Sequence, residues 1–244
     1  MKNSIYSTAA GMLTSLARLD ISTNNLVNIS TTGYKSDIPF EQTLRFAAEG
    51  SFPGKDQPIL GGHTIDMKNG IIQTTGRALD LAVEGPGFFT VQGPNGRELY
   101  TRNGEFELNA NRELINAEGY YILDNLNKKI TIPDINQKFQ FTPQGELFVD
   151  EAYITTLKIV DIPDPNNLEK IGSTFFKLKD NAPLPPVMET PQLSVGALEK
   201  SNADLLLESA VLTVAQRTFE AQKTAADVIL NSLRKVITEI PRPV

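Results

Sequence analysis

Apolar positions follow a helical period at both ends of the chain and a strand period between them. Near the start, Ile5, Ala9, Met12, Leu16, Leu19 and Leu26 fall on a 4-3 spacing interrupted at Thr23. Near the end, Leu205, Leu212, Ala215, Phe219, Ala226, Ile229, Leu233 and Val236 keep the same spacing, interrupted at Glu208 and Gln222. A seam with this average repeat lets helices pack along one another. The pattern predicts a first helix from Asn3 or Ser4 to Thr32, with Gly33 just past its end. At the usual rise that helix is about 42 Å long. A second helix is predicted from Ser201, with Asp204 three residues later as a capping-box-like pair, up to a stop at Pro241.

The polar face of the first helix is unusual. Arg18 and Asp20 are the only charges between Asn3 and Thr32, and the remainder is Asn, Ser and Thr. A solvated face ordinarily carries Lys and Glu, so uncharged amides and hydroxyls predict a face covered by other protein. The second helix differs: Arg217, Glu220, Lys223 and Asp227 form a ladder of opposite charges on its outer side.

Residues 34–70 read as an extended connector, punctuated by Pro and Gly, with a short helical piece around Pro39–Ala48. From Ile71 the period changes to two. Strands are predicted at Ile71–Thr75, Leu79–Glu84, Phe88–Gln92, Glu98–Arg102, Glu105–Asn109, Glu113–Asn116 and Tyr120–Leu123. Further strands are predicted at Lys129–Ile132, Phe139–Thr142, Leu147–Val149, Tyr153–Val160 and Thr174–Leu178. The Gly-Pro-Asn-Gly at 93–96 reads as a hairpin turn and Asn103-Gly104 as a type I′ turn. Short antiparallel strands at this spacing predict a sandwich or irregular barrel. Residues 181–200, rich in Pro, read as an extended return path. The fold class is therefore α+β. Its predicted parts are an N-terminal helix (1–33), a connector (34–70), a β-rich domain (71–180), a return linker (181–200) and a C-terminal helix (201–240). The two helices are expected to pair through space in coiled-coil fashion.

A chain of 244 residues, 40% hydrophobic and 21% charged, can bury a proper core. The net charge of −6, with no basic block, argues against a nucleic-acid partner. Cysteine is absent, which excludes disulfides, thiolate metal sites and a Cys nucleophile. Polar residues interrupt every apolar run near the N-terminus, so no Sec signal peptide is expected, and no stretch is apolar enough for membrane insertion.

The search for chemistry is short. His63 is the only histidine and sits in Gly-Gly-His-Thr, which reads as an exposed loop rather than part of a triad or zinc site. Asp80 and Glu84 can share a strand face, but such carboxylates in a β-domain are mostly solvated or held by turns. Gly85-Pro86-Gly87 separates two strands and lacks the Lys-Ser/Thr of a phosphate loop. Asn28-Ile29-Ser30 matches a glycosylation sequon on a helix, a chance match. No catalytic, cofactor-binding or metal-ligating residue is predicted, and no small-molecule substrate.

Five stretches together resemble bacterial flagellar rod and hook proteins. Asn24-Asn25-Leu26-Val27-Asn28 with Thr31-Thr32-Gly33-Tyr34-Lys35 is similar to their NNLAN-x-x-TTG-[FY]-K signature. Thr75-Gly76 through Leu79-Asp80-Leu81-Ala82-Val83 and Gly87-Phe88-Phe89 resembles their TG-x-x-LDLAI-x-G-x-GFF segment. Tyr100-Thr101-Arg102-Asn103-Gly104-Glu105-Phe106, Gly196-Ala197-Leu198-Glu199-Lys200-Ser201-Asn202 and Ala215-Gln216-Arg217-Thr218-Phe219-Glu220 match the remaining three motifs in family order.

The resemblance implies an axial subunit of the flagellar basal body, exported by the type III apparatus without a Sec signal. Its terminal helices would face the filament axis, with a β-rich domain outside them. The compact middle leaves no room for the large outer domains of hook subunits, which favours rod over hook. The opening Ser4-Ile5-Tyr6-Ser7-Thr8-Ala9-Ala10-Gly11-Met12 resembles the FlgF-like proximal branch more than the FlgG-like distal branch, which usually opens with a Leu-Trp pair. Leu157–Asp161 and Leu168–Gly172 also resemble the FlgF-like branch. Implied partners are further copies of the chain, other rod proteins and the export apparatus. The implied assembly interface comprises Ile5, Met12, Leu16, Leu19, Asn24, Asn25, Leu26, Asn28, Leu205, Leu212, Phe219, Ile229 and Leu233. Two other classes compete: a ligand-binding or enzymatic β-domain on a helical stalk, and a membrane-surface protein anchored by the first helix. The latter lacks the basic face and Trp that such anchors favour.

Overall fold

A computed structural model describes residues 2–44, 57–132 and 138–239, and its chain divides into two compact units. One unit holds residues 1–27, 37–64 and 204–244; the other holds 28–36 and 65–203.

The first unit contains α1 (Lys2–Val27), β1 (Asp37–Leu44), β2 (Gln57–Ile65) and α2 (Leu205–Glu239). The helix α1 ends at Val27, five residues before the predicted end at Thr32. Residues 28–33 are turns, and Gly33 takes φ 69°. The α2 helix starts after Asp204, not at Ser201, because the Asp204 carboxylate accepts from the Leu206 and Leu207 amides at 2.8 and 3.1 Å. That satisfies two of the orphan donors of the first turn. The Ser201 hydroxyl instead accepts from Ala203 N at 3.2 Å. Pro241, the predicted stop, lies outside the described residues. Where a helical piece was expected around Pro39–Ala48, residues 39–44 belong to β1, which pairs with β2 in a two-stranded sheet; residues 45–48 lie outside the described residues. His63 lies on β2 and is exposed, not in a loop. No described helix is long and apolar enough to cross a membrane.

The second unit is β-rich. Its strands are β3 (Ile72–Thr74), β4 (Leu81–Val83), β5 (Phe88–Gln92), β6 (Glu98–Thr101), β7 (Phe106–Leu108), β8 (Leu114–Asn116) and β9 (Tyr121–Ile122). They continue with β10 (Phe139–Phe141), β11 (Glu146–Val149), β12 (Ala152–Thr156), β13 (Ile159–Val160), β14 (Leu168–Ile171), β15 (Phe175–Leu178), β16 (Leu193–Val195) and β17 (Ala197–Glu199). The main sheet runs β14-β15-β6-β5-β9-β8-β7, with β13 also on β5. A smaller sheet is β10-β11-β12, and β16 and β17 pair with β4 and β3.

Most predicted strands are present, within one or two residues at each end, but Lys129–Ile132 makes only isolated bridges and Tyr153–Val160 divides into β12 and β13. The residues read as a return linker, 181–200, contain β16 and β17. Each is three residues long and they flank Gly196 at φ 70°, so neither is long enough to display alternation. Asn103-Gly104 does not close a type I′ hairpin. Neither residue has positive φ, and β6 pairs with β5 and β15 whereas β7 pairs with β8. The Asn103 side chain instead accepts from Glu105 N at 3.1 Å, forming an Asx turn.

Period two on β5 and β6 builds a core on each side of the main sheet. Phe89, Val91 and Leu99 join Phe106, Leu114 and Leu147 in one cluster; Phe88 and Tyr100 join Val160, Leu168 and Phe176 in the other. Phe89 meets Phe106 edge-on with centroids at 5.1 Å, and Phe88 meets Phe176 at 5.5 Å, a geometry that the ring quadrupoles favour.

Burial, and Glu98 second, pushes the Tyr100 phenol up to about 12 from an ordinary 10.0. Its contribution to stability is therefore complete below pH 10, where both states are protonated. It is lost as pH rises from about 10 to about 12, because the unfolded chain ionises first. A shift of this size corresponds to roughly 3 kcal/mol. Denaturant melts across that window are expected to show the loss, and Tyr100→Phe is expected to flatten it. An equal alkaline loss in the Phe variant would show that another group is responsible.

Candidate assembly interface

Within the first unit α1 and α2 run antiparallel, because Ser15 meets Gln222 while Asn25 meets Glu208. The Ser15 hydroxyl donates to Gln222 Oε1 at 3.0 Å, and Asn25 Nδ2 donates to Glu208 Oε1 at 2.8 Å. Asn25 also grips β1 at both ends of its amide: Nδ2 donates to Asp37 O and Oδ1 accepts from Asp37 N, each at 2.9 Å. Only a carboxamide can do all three at once.

The covered face of α1 is the small polar one. Ser15, Ser22 and Asn25 are buried, with Ile21 beside them. On α2, Glu208 and Ala215 are buried, and Leu212, Phe219, Gln222, Ala226 and Ile229 are half-buried. The two residues that interrupted the second seam, Glu208 and Gln222, are those bonded to α1. Of the other positions assigned to assembly, Met12, Leu19, Leu26 and Asn28 are half-buried, while Leu16, Asn24 and Leu205 are exposed. The side chains of Ile5 and Leu233 lie outside the described residues. The charged ladder Arg217, Glu220, Lys223 and Asp227 is exposed throughout.

A second constellation lies inside the β-rich unit, and no residue in it was singled out from the sequence. Lys35, Arg102 and Glu199 are each at least 98% buried and come from three separate motifs. Lys35 Nζ donates to Glu199 Oε1 at 2.8 Å and to Lys68 O at 2.6 Å. The Gly70 amide donates to the same Glu199 oxygen at 2.8 Å. Arg102 Nη1 donates to Glu199 Oε2 and to Val83 O, both at 3.3 Å, and Nη2 to Gly85 O at 2.7 Å. The guanidinium also lies over the Phe88 ring, 5.0 Å from its centroid.

Burial is the main cause that holds the Lys35 ammonium below its ordinary pKa; Glu199 opposes the shift and the Arg102 charge adds to it. Burial likewise lowers Arg102, against the pull of Glu199. One carboxylate thus serves two cations.

Backbone contacts complete this clasp. Gly33 N donates to Glu199 O at 2.8 Å. Asn202 Oδ1 accepts from Ser36 N at 2.7 Å, and its Nδ2 donates to Asp66 O and Lys68 O. Lys170 Nζ donates to Lys35 O at 2.6 Å and lies over the Tyr34 ring. A Cβ on Gly33 would overlap the Asn103 amide, and one on Gly70 the Lys200 carbonyl. The clasp therefore holds residues 33–36, which follow α1 in the chain, beside residues 199–202, which precede α2. A legible signal was available: charged residues stand inside otherwise apolar or turn-forming motifs, where solvent-exposed pairs have no reason to sit.

The remaining candidates for chemistry have structural partners. Asp80 is buried and accepts from the Thr75 hydroxyl at 2.6 Å. Glu84 is exposed and accepts from Ser194, so the two carboxylates do not form a pair. Gly85 and Gly87, at φ 83° and 122°, form the turn between β4 and β5. Among the described residues no group of three His, Cys, Asp or Glu side chains is placed to hold a metal.

The clasp and the helix pair draw on the very motifs that carried the resemblance. The flagellar basal-body rod protein FlgG of Bacillus subtilis is 32% identical over 260 aligned residues, covering 96% of this chain and 98% of that protein. This chain belongs to the FlgF/FlgG family of flagellar basal-body rod proteins. The rod protein FlgF of Caulobacter vibrioides is 30% identical, with 91% of each chain covered. The pattern of the flagellar hook protein FlgE/F/G D1 domain matches residues 82–149, which begin in β4 and end in β11. The hook protein FlgE of Escherichia coli is 38% identical over 113 residues, but these are only 26% of its length. Both of these FlgG and FlgF relatives, which align with this chain along nearly their whole length, are rod proteins of the flagellar basal body.

Proposed function

We propose that this chain is a structural subunit of the rod, joined to further copies and to other rod proteins by its terminal helices. The observation that carries the reading is that the α1–α2 pair leaves large apolar side chains uncovered. Leu13, Leu16 and Val27 on α1, and Leu206, Val214 and Val228 on α2, are exposed. Head-to-tail contacts through such stripes do not close and generate a helical tube. The interface comprises the predicted set, Ile5 to Leu233. In it the half-buried Met12, Leu19, Leu212, Phe219 and Ile229 serve the pair, and the exposed Leu16, Asn24 and Leu205 meet neighbours. The helices form the axial domain in coiled-coil fashion. The assembly transmits motor torque, spans the periplasm and is built from subunits passed through the type III export apparatus.

The FlgF-like opening at Ser4–Met12 supports a proximal position. The 32% identity to FlgG along nearly the full length supports a distal one as the second reading, and labelling of isolated basal bodies separates the two. The role is structural rather than catalytic.

Deletion of residues 2–23 tests the reading while retaining the segment from Asn28 that belongs to the β-rich unit. The expected result is loss of motility and of incorporation into basal bodies, with the β-rich unit still melting cooperatively. Motile cells carrying the shortened chain would overturn it, and would favour a binding or enzymatic β-domain on a dispensable stalk.

A further inference from the structure

The apolar seam of α2 repeats every seven residues, so by itself it does not distinguish one register on α1 from another displaced by a heptad. The polar positions do. Glu208, Ala215 and Gln222 share one heptad phase, and Ile229 continues it. In the observed register Asn25 faces Glu208 and Ser15 faces Gln222. A displacement of one heptad brings Ala215 to Asn25 and Ile229 to Ser15. It carries Glu208 past the C-terminal end of α1, away from its amide donor, and leaves an Asn25 donor unmet at a buried position. A displacement the other way carries Asn25 past the N-terminal end of α2, sets Glu208 level with residues 18–22 of α1 and places Ala215 against Ser15. Leaving a buried polar group without its partner disfavours either alternative roughly tenfold or more. Gly11 adds a steric element: a Cβ there would stand 2.7 Å from Gln222 Nε2, so the Gln222 amide lies against the bare Gly11 backbone.

We propose that Asn25–Glu208 and Ser15–Gln222 are the register key of the helix pair, and that the two interruptions in the α2 seam exist for this purpose. The consequence deepens the assembly reading: only one register sets the exposed apolar stripes of α1 and α2 in phase for a neighbouring subunit.

The chain has no cysteine, so introduced pairs report register cleanly in the purified full-length protein. Ser15→Cys with Gln222→Cys probes the observed register, and Ser15→Cys with Ile229→Cys probes the one-heptad displacement. With Asn25 and Glu208 intact, oxidation is expected to close the first pair at least about tenfold more than the second. With Asn25→Leu and Glu208→Leu added, the displaced pair is expected to close to within about twofold of the first, with helicity retained in circular dichroism. A second route avoids added apolar bulk. Asn25→Asp, which sets carboxylate against carboxylate, is expected to raise the displaced product. Adding Glu208→Gln, whose amide donates to the new carboxylate, is expected to lower it again. Unchanged selectivity in both the Leu/Leu and the Asn25→Asp backgrounds would overturn the proposal. The cross-links form or fail in the isolated chain, so this outcome is separate from whether the chain assembles into a rod.

Discussion

Glu199→Ala is expected to destabilise the β-rich unit by about 3–5 kcal/mol, the cost of leaving buried charge uncompensated. The removed carboxylate faces Lys35, Arg102 and the Gly70 amide inside a site that is nearly inaccessible to water. Two cations would then be left near one another, and the burial that already lowers the Lys35 pKa would be opposed only by the smaller effect of Asp66. The cluster need not stabilise the fold relative to an apolar filling of the same shape; removing one member is what costs. Lys35→Met in the Glu199→Ala background is therefore expected to recover part of the loss, because it takes away one uncompensated cation. Urea titration of the four chains of that cycle gives the coupling directly. A Glu199→Ala loss under about 1 kcal/mol would mean that water or rearrangement already solvates the cations.

Gly104→Ala is expected to cost about 3 kcal/mol or more, at the upper end for overpacking. A Cβ at this position would overlap the Leu81 carbonyl oxygen and stand 3.1 Å from the Phe89 ring. Neither neighbour can give way. The carbonyl belongs to β4, and the close approach also carries the Leu81 N–H to Gly104 O bond at 3.0 Å. Gly119→Ala is the comparison. That glycine has φ 83° but meets nothing within 4 Å, so only the left-handed backbone penalty applies, about 1–2 kcal/mol. Equal losses from the two substitutions would show that β4 can retreat from residue 104.

The β-rich unit was legible where a strand had enough residues to show alternation. Phe88–Gln92, for example, was read with the ends it has in the structure. The three-residue strands Leu193–Val195 and Ala197–Glu199 were not, because their pairing with β4 and β3 is decided by partners more than 100 positions away. Asn103-Gly104 misled for a related reason. The dipeptide suits a hairpin, but here the glycine is required by a carbonyl passing over it and the asparagine by an Asx turn. At the helix ends, Asp204 outcompeted Ser201 as a cap by reaching two amides of the first turn. Gly33 takes the left-handed conformation expected of it, but as part of the clasp rather than as the residue that ends α1.

The candidate site divides in the same way. Composition marked the face of α1 that carries Ser15, Ser22 and Asn25 as one to be covered, since it lacks the Lys and Glu that a solvated helix face ordinarily carries. Lys35, Arg102, Glu199 and Asn202 could not be grouped from the sequence, because up to 167 positions separate them (202 − 35) and ion pairs leave no periodic trace.

The one-dimensional pattern determined the α+β class, the two long helices and most strands, because local periodicity and turn chemistry act within a few residues; the family came from the resemblance of five motifs. The tertiary structure alone decided which charges meet in the clasp, which polar residues set the helix register, and which glycines the packing requires. Those depend on atoms brought together by closing long loops, and nothing in the spacing of a sequence encodes that distance.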